Sequence, residues 1–188
     1  MDDRVYCWHI PLKEHLAVHR LAGQYQGALR RLPQLHPCAP PWLRLPLREL
    51  GPAERLRYTD VQAITAAARE RLAEVPALAL VTGRVIRRRG SVALAVTGDL
   101  RPVRRALAAA VAGVLGRRPR WPRPPRLLLA EHTEPVDPAQ LRRILAAVRA
   151  EPVRIPVEGV SLALLRRHRG QRLWSELDRV ELGLRVSR

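Results

Sequence analysis

At 188 residues and 21.2 kDa the chain can form one ordinary domain or two small lobes around a shared core, which excludes a multidomain machine. Hydrophobic residues at 47% and charged residues at 27% give the balance of a chain that folds rather than one that stays disordered. Against 17 acidic residues stand 34 basic ones, so the net charge is +17 and the isoelectric point about 11.6, which calls for an anionic partner.

Val5 to Leu12 alternates as a strand, with Tyr6, Trp8, Ile10 and Leu12 on one face and Val5, Cys7, His9 and Pro11 on the other. From Lys13 the period turns helical through Leu16, His19, Ala22, Tyr25, Leu29 and Leu32, and stops before Pro33. Pro37, Pro40 and Pro41 form a stiff connection into a second strand, Trp42 to Leu50, ended by Gly51-Pro52. Asp60 to Glu74 reads as an Ala-rich helix closed by Pro76. Ala77 to Ile86 and Ser91 to Thr97 read as a hairpin around the turn Arg87-Arg88-Arg89-Gly90. Asp99 caps a helix that runs to Leu115 and stops at Gly116. The proline-dense segment Pro119 to Pro125 contains Trp121, and Arg126 to Ala130 follows as a short apolar strand. Asp137-Pro138 opens a last helix. Val153 to Leu165 and Leu173 to Val186 close the chain as strands around the basic turn Arg166 to Arg172. The order, roughly β-α-β-α-β-β-α-β-α-β-β, is an α+β design.

All the basic residues except Lys13 are arginine and phenylalanine is absent, a skew of the kind that GC-rich coding produces. Such coding explains arginine in place of lysine but not the excess of positive charge. No apolar run reaches the roughly 20 residues that span a bilayer, and Met1-Asp2-Asp3-Arg4 lacks the order of a secretory signal, so a cytoplasmic protein with no membrane partner is expected. Cys7 and Cys38 are too few for a disulfide scaffold and lack metal-ligand spacing, so they read as reduced, buried thiols. No cofactor is expected, because the chain has no Gly-rich phosphate loop, nucleophile elbow or paired-Cys metal motif.

Two segments echo each other: Pro40-Pro41-Trp42-Leu43-Arg44-Leu45-Pro46-Leu47 and Pro124-Pro125-Arg126-Leu127-Leu128-Leu129 each lead from a proline pair into an Arg-Leu-x-Leu strand followed by a helix. Two similar lobes would bring these strands side by side across a shared cleft. At these strands the sequence resembles the 2H phosphoesterase superfamily, in particular its 2′-5′ RNA ligase-like (RNA cyclic phosphodiesterase) members of the kind seen in GC-rich actinobacteria. Tyr6-Cys7-Trp8-His9-Ile10-Pro11-Leu12 looks like the family's opening Tyr-x-Trp-His-Leu-Thr-Phe. Ala39 to Leu47 looks like its Val-Pro-Pro-Glu-Trp-Leu-His-Leu-Thr-Leu strand, one residue shorter. Pro124 to Ala130, followed by Pro135-Val136-Asp137-Pro138, falls where the family has Arg-Pro-His-Val-Ser-Leu-Ala and a Gly-Pro turn, and Leu173 to Gly183 resembles its final strand. The resemblance spans nearly the whole chain. It implies a single domain of residues 1–188, built as two interleaved, pseudo-symmetric antiparallel-sheet lobes with helices outside and a central cleft.

In that family two His-x-Thr/Ser motifs face each other over a phosphate, one imidazole taking a proton from the attacking hydroxyl and the other protonating the leaving oxygen. Here the first histidine position holds Arg44 and its hydroxyl position Pro46, and the second motif holds Arg126 and Leu128. A guanidinium, with a pKa above about 12, cannot exchange protons near neutrality, and neither Pro46 nor Leu128 carries a side-chain donor. Ordinary phosphodiester cleavage is therefore not expected, and the chain reads as a pseudoenzyme.

Two arginines at the centre of a cleft remain suited to gripping phosphate or carboxylate. The alternative is that Arg44 and Arg126 are ion-paired or surface residues, with Pro46 and Leu128 filling a collapsed cleft. His9, Glu131 and His132 are the candidates for replacement chemistry, and His9 is also a candidate ligand contact, although lone histidines are more often structural. His15 and His19 stand at helical i, i+4 spacing without a third ligand, so no metal site is expected. Arg87 to Arg89, Arg117-Arg118, the Arg120-Trp121-Pro122-Arg123 run and Arg166 to Arg169 fall in predicted loops, with Trp121 placed among arginines as a base-stacking residue would be. Trp8, Trp42 and Trp174 read as core. Three functions stay open: an RNA- or nucleotide-binding protein using Arg44 and Arg126, a repurposed enzyme of a specialised biosynthetic pathway, and a subunit whose arginines meet an acidic protein.

Overall fold

The computed structural model describes residues 4–88, 90–116, 124–132, 134–168 and 171–183. Its strands are β1 (Val5–Pro11), β2 (Leu35–Pro37), β3 (Arg44–Pro52), β4 (Leu78–Arg88), β5 (Ser91–Thr97), β6 (Arg126–His132), β7 (Arg154–Val157), β8 (Gly159–His168) and β9 (Gln171–Glu181). The helices are α1 (Leu16–Leu29), α2 (Tyr58–Leu72), α3 (Arg101–Leu115) and α4 (Pro138–Ala146). These make the expected α+β fold.

The strands form two antiparallel sheets, one of four strands in the order β3-β1-β8-β9 and one of five in the order β2-β6-β5-β4-β7. Each sheet draws on both halves of the chain, so the lobes are interleaved in sequence. Alternation sends Trp8, Ile10, Leu45 and Leu47 of the first sheet and Leu80, Leu94, Leu127 and Leu129 of the second into one continuous core. Among the helices, α1 packs with α4 and against β6, while α2 packs with α3 and against β9. No helix among the described residues is long and apolar enough to cross a membrane.

Helix ends follow local chemistry. The Asp137 side chain accepts from the backbone N–H groups of Ala139 and Gln140, and Gly116 closes α3 in the left-handed region at φ 64°. At the start of α1 the Leu12 carbonyl accepts from the His15 N–H and, at 2.7 Å, from His19 Nε2, which delays the helix to Leu16.

Three features differ from the sequence reading. The segment read as one strand from Val153 is divided: β7 joins the five-stranded sheet and β8 the four-stranded one. The crossing point requires Gly159, where a Cβ would stand 2.8 Å from the Val180 carbonyl oxygen and 2.9 Å from Glu181 Oε2. Leu35–Pro37, read as connection, pairs with β6, and Arg87 and Arg88, read as turn, belong to β4. Trp42 lies in the short 3-10 turn Pro40–Trp42 instead of on a strand, because two successive prolines cannot donate to a ladder but suit the start of a helical turn. It is half-buried.

Candidate functional site

Arg44 begins β3 and Arg126 begins β6, so the two sheets each contribute one echo strand, and β3 lies against β6. In β3 the core-facing residues are Leu45 and Leu47, which leaves Arg44 and Pro46 on the other face; in β6, Leu127 and Leu129 face the core and leave Arg126 and Leu128 opposite. Both arginines are half-buried and both have partners. The approach to Arg44 is pinned to β6 twice. The Cys38 N–H donates to the Leu129 carbonyl at 2.9 Å, and Gln26 Nε2 of α1 donates to the carbonyls of Cys38 at 2.7 Å and Leu129 at 3.0 Å. The sequence reading passes over Gln26. A polar residue on the buried stripe of α1, beside Ala22, Tyr25 and Leu29, is the signal that could have found it.

Strand register places the other groups of this face. Across the four-stranded sheet one row reads Pro46, His9, Ser161, Arg179, and beyond it Arg44 stands opposite Pro11 and Gly159 opposite Glu181. On the other side of His9, Cys7 and Ala163 lie beneath the indole of Trp174, with Trp42 and Leu165 packed against them. The Trp174 ring meets His9 edge-on with centroids 4.4 Å apart, and Trp42 meets Trp174 edge-on at 6.2 Å. His9 and Ser161 are fully buried, and Trp174 is 8% exposed. Among the described residues His9 Nδ1 and Nε2, Ser161 Oγ and Trp174 Nε1 have no hydrogen-bond partner. Ser161 escapes the sequence reading too, although a lone serine within Val160-Ser161-Leu162-Ala163-Leu164-Leu165 is a visible anomaly.

Burial is the main cause that lowers the His9 pKa from 6.5 to about 3, and the nearby Arg44 charge adds to it, so the imidazole is neutral near pH 7. Burial likewise raises Cys7 and Cys38 to about 11, with Arg44 opposing the rise in each case. Both cysteines are free. At pH 8 the native thiols are accordingly expected to react with a disulfide reagent far more slowly than in urea, since the thiolate is the nucleophile. Stability supplied by these thiols is complete below about pH 9 and declines as pH rises toward about 11. Prompt labelling of both in the native protein would contradict this.

His132 takes its orientation from the backbone, with Nδ1–H donating to the Glu134 carbonyl at 2.7 Å. Glu131, its neighbour on β6, lies close enough to Cys38 to contribute to that thiol's raised pKa. His19 is committed to the Leu12 carbonyl, and no group of three or more His, Cys, Asp or Glu residues among those described could hold a metal ion. Trp121 and its flanking arginines, together with Arg117-Arg118, lie outside the described residues. Arg87 of the basic hairpin donates to the Pro138 carbonyl at 3.2 Å, which ties that hairpin to α4.

Among the described residues, two interleaved antiparallel sheets, four α-helices and a pair of echo strands in contact make this the 2H phosphoesterase-like fold. The chain superposes on TT0787 of Thermus thermophilus with a TM-score of 0.66 at 24% identity, covering 95% of this chain and 98% of that one. On E. coli LigT complexed with 3′-AMP the TM-score is 0.64 at 18% identity, covering 97% and 99%; with NADP+ bound to LigT it is 0.65 at 17%, covering 96% and 98%. Identities of this size establish the fold. No protein-family model and no curated protein matches the sequence.

Proposed function

We propose that the protein is a degenerate 2H phosphoesterase-like pseudoenzyme of one domain that binds an anionic ligand, RNA or a nucleotide phosphate, in a central cleft between its two lobes. Arg44 and Arg126 grip the anion. The observation that carries this reading is the meeting of β3 and β6, each opening with an arginine on its face away from the core. The 3′-AMP, ATP and NADP+ complexes of E. coli LigT support a nucleotide-sized ligand. Two guanidiniums hold charge permanently and present forked donors, so they bind phosphate without moving protons. His9, pushed to about 3, is too weak a base to replace the missing acid–base pair, which favours binding over a new hydrolytic reaction.

The test is a titration with 3′-AMP and with a short RNA across a salt series. Native protein is expected to bind both, with RNA affinity falling steeply as salt rises because counterions are released on phosphate contact. Arg44→Ala/Arg126→Ala is expected to lose about tenfold in affinity per arginine, the scale of one charge-assisted hydrogen bond. Equal binding by the double variant would end the clamp reading. Turnover of a 2′,3′-cyclic phosphate by the native protein would end the pseudoenzyme reading.

A further inference from the structure

Beside the proposed anion grip lies a polar pair that a binding site explains and a purely structural role does not. His9 and Ser161 stand directly opposite each other on β1 and β8, so their side chains share one face. Both are fully buried, and neither His9 nitrogen nor the Ser161 hydroxyl has a partner among the described residues. Groups of this kind are normally satisfied, and leaving them unmade destabilises the fold. The next row of the same face accepts Cys7 and Ala163, so apolar residues pack there without difficulty.

Two further observations give the pair a direction. Arg44, paired with Pro11, is the diagonal neighbour of His9 on that face. The cover over His9 is the Trp174 indole, carried on β9, the outermost strand of its sheet. A rotamer change on an edge strand moves an indole without breaking an interior ladder.

Resting on the anion-grip reading, we infer that His9 and Ser161 form a covered site for an uncharged hydroxyl next to the ligand's phosphate, so that the cleft selects a ribonucleotide over its deoxy counterpart. A neutral imidazole offers one donor and one acceptor, and a serine hydroxyl offers the same, which is the complement a sugar hydroxyl needs. The lowered basicity of His9 keeps the imidazole in that uncharged form. Charge for the neighbouring phosphate comes from Arg44. Binding moves Trp174 off His9.

The experiment compares 3′-AMP with 2′-deoxyadenosine 3′-monophosphate on native protein, Ser161→Ala and Arg44→Ala/Arg126→Ala. Native protein is expected to prefer 3′-AMP by about tenfold, Ser161→Ala to lose most of that preference while binding the deoxy ligand as native does, and the double variant to weaken on both ligands. A fluorescence change on 3′-AMP binding is expected to vanish in Trp174→Phe. Without ligand, Ser161→Ala is expected to melt at or above the native temperature, because it removes an unsatisfied hydroxyl. If Ser161→Ala keeps the full preference, weakens equally on both ligands, or unfolds, this inference fails while the anion grip stands. If neither ligand binds, or the arginine variant binds as native does, the functional reading fails and takes this one with it.

Discussion

Lowering the pH from about 6.5 to about 4.5 is expected to remove roughly 2 kcal/mol of stability through His9 alone. In the unfolded chain this histidine takes up its proton near 6.5, whereas in the fold it resists protonation down to about 3. Between those values the unfolded state binds more protons, so stability rises with pH across the window and falls as acid is added. Burial among Trp174, Ser161 and the neighbouring strands is the larger cause, and the Arg44 charge adds to it. His15, whose pKa is also lowered by desolvation, contributes with the same sign. Urea midpoints measured at half-unit steps should slope steeply in the native protein and much less in His9→Gln, where the His15 contribution remains. Parallel slopes would show that another group controls the acid limb.

Replacing Gln26 by leucine is expected to cost roughly 1 to 3 kcal/mol, because the Cys38 carbonyl loses its donor while the Leu129 carbonyl keeps only the Cys38 N–H. For a chain of this size that corresponds to a melting temperature lower by about 2 to 12 °C. The amide of this α1 residue bridges Cys38 and Leu129, one on the approach to Arg44 and the other on the strand that carries Arg126. Loss of the bridge should therefore weaken phosphate binding as well as stability. Gln24→Leu, on the exposed side of the same helix, is the control and should change the melting temperature by no more than about a degree or two. A Gln26→Leu variant as stable as Gln24→Leu would mean that the carbonyls find other partners.

Much of the architecture was legible because it is written in short-range pattern. Alternation in Val5 to Leu12, the Asp137-Pro138 helix start and the Gly116 stop are local properties of a few adjacent residues, and the structure places them close to where the pattern does. The division of Val153 to Leu165 between two sheets left only a small mark in the sequence, a change of phase at Glu158-Gly159, where the core-facing positions pass from Ile155 and Val157 to Val160 and Leu162; the pattern does not say which strand each part pairs with. Trp42 misled in the opposite way. Its aromatic bulk suits a strand, yet the prolines before it decided for a turn.

The arginine excess and the loss of imidazole and hydroxyl at Arg44, Pro46, Arg126 and Leu128 are properties of composition and position, visible in the chain as written. It took the assembled fold to seal His9 beneath Trp174, to stand Ser161 opposite it, and to fasten one echo strand to the other through Gln26. Burial and strand register depend on residues more than a hundred positions apart in the chain, as Gln26 and Leu129 are. A proton affinity or an unmet hydrogen bond is set by that distant company, and no local pattern encodes it.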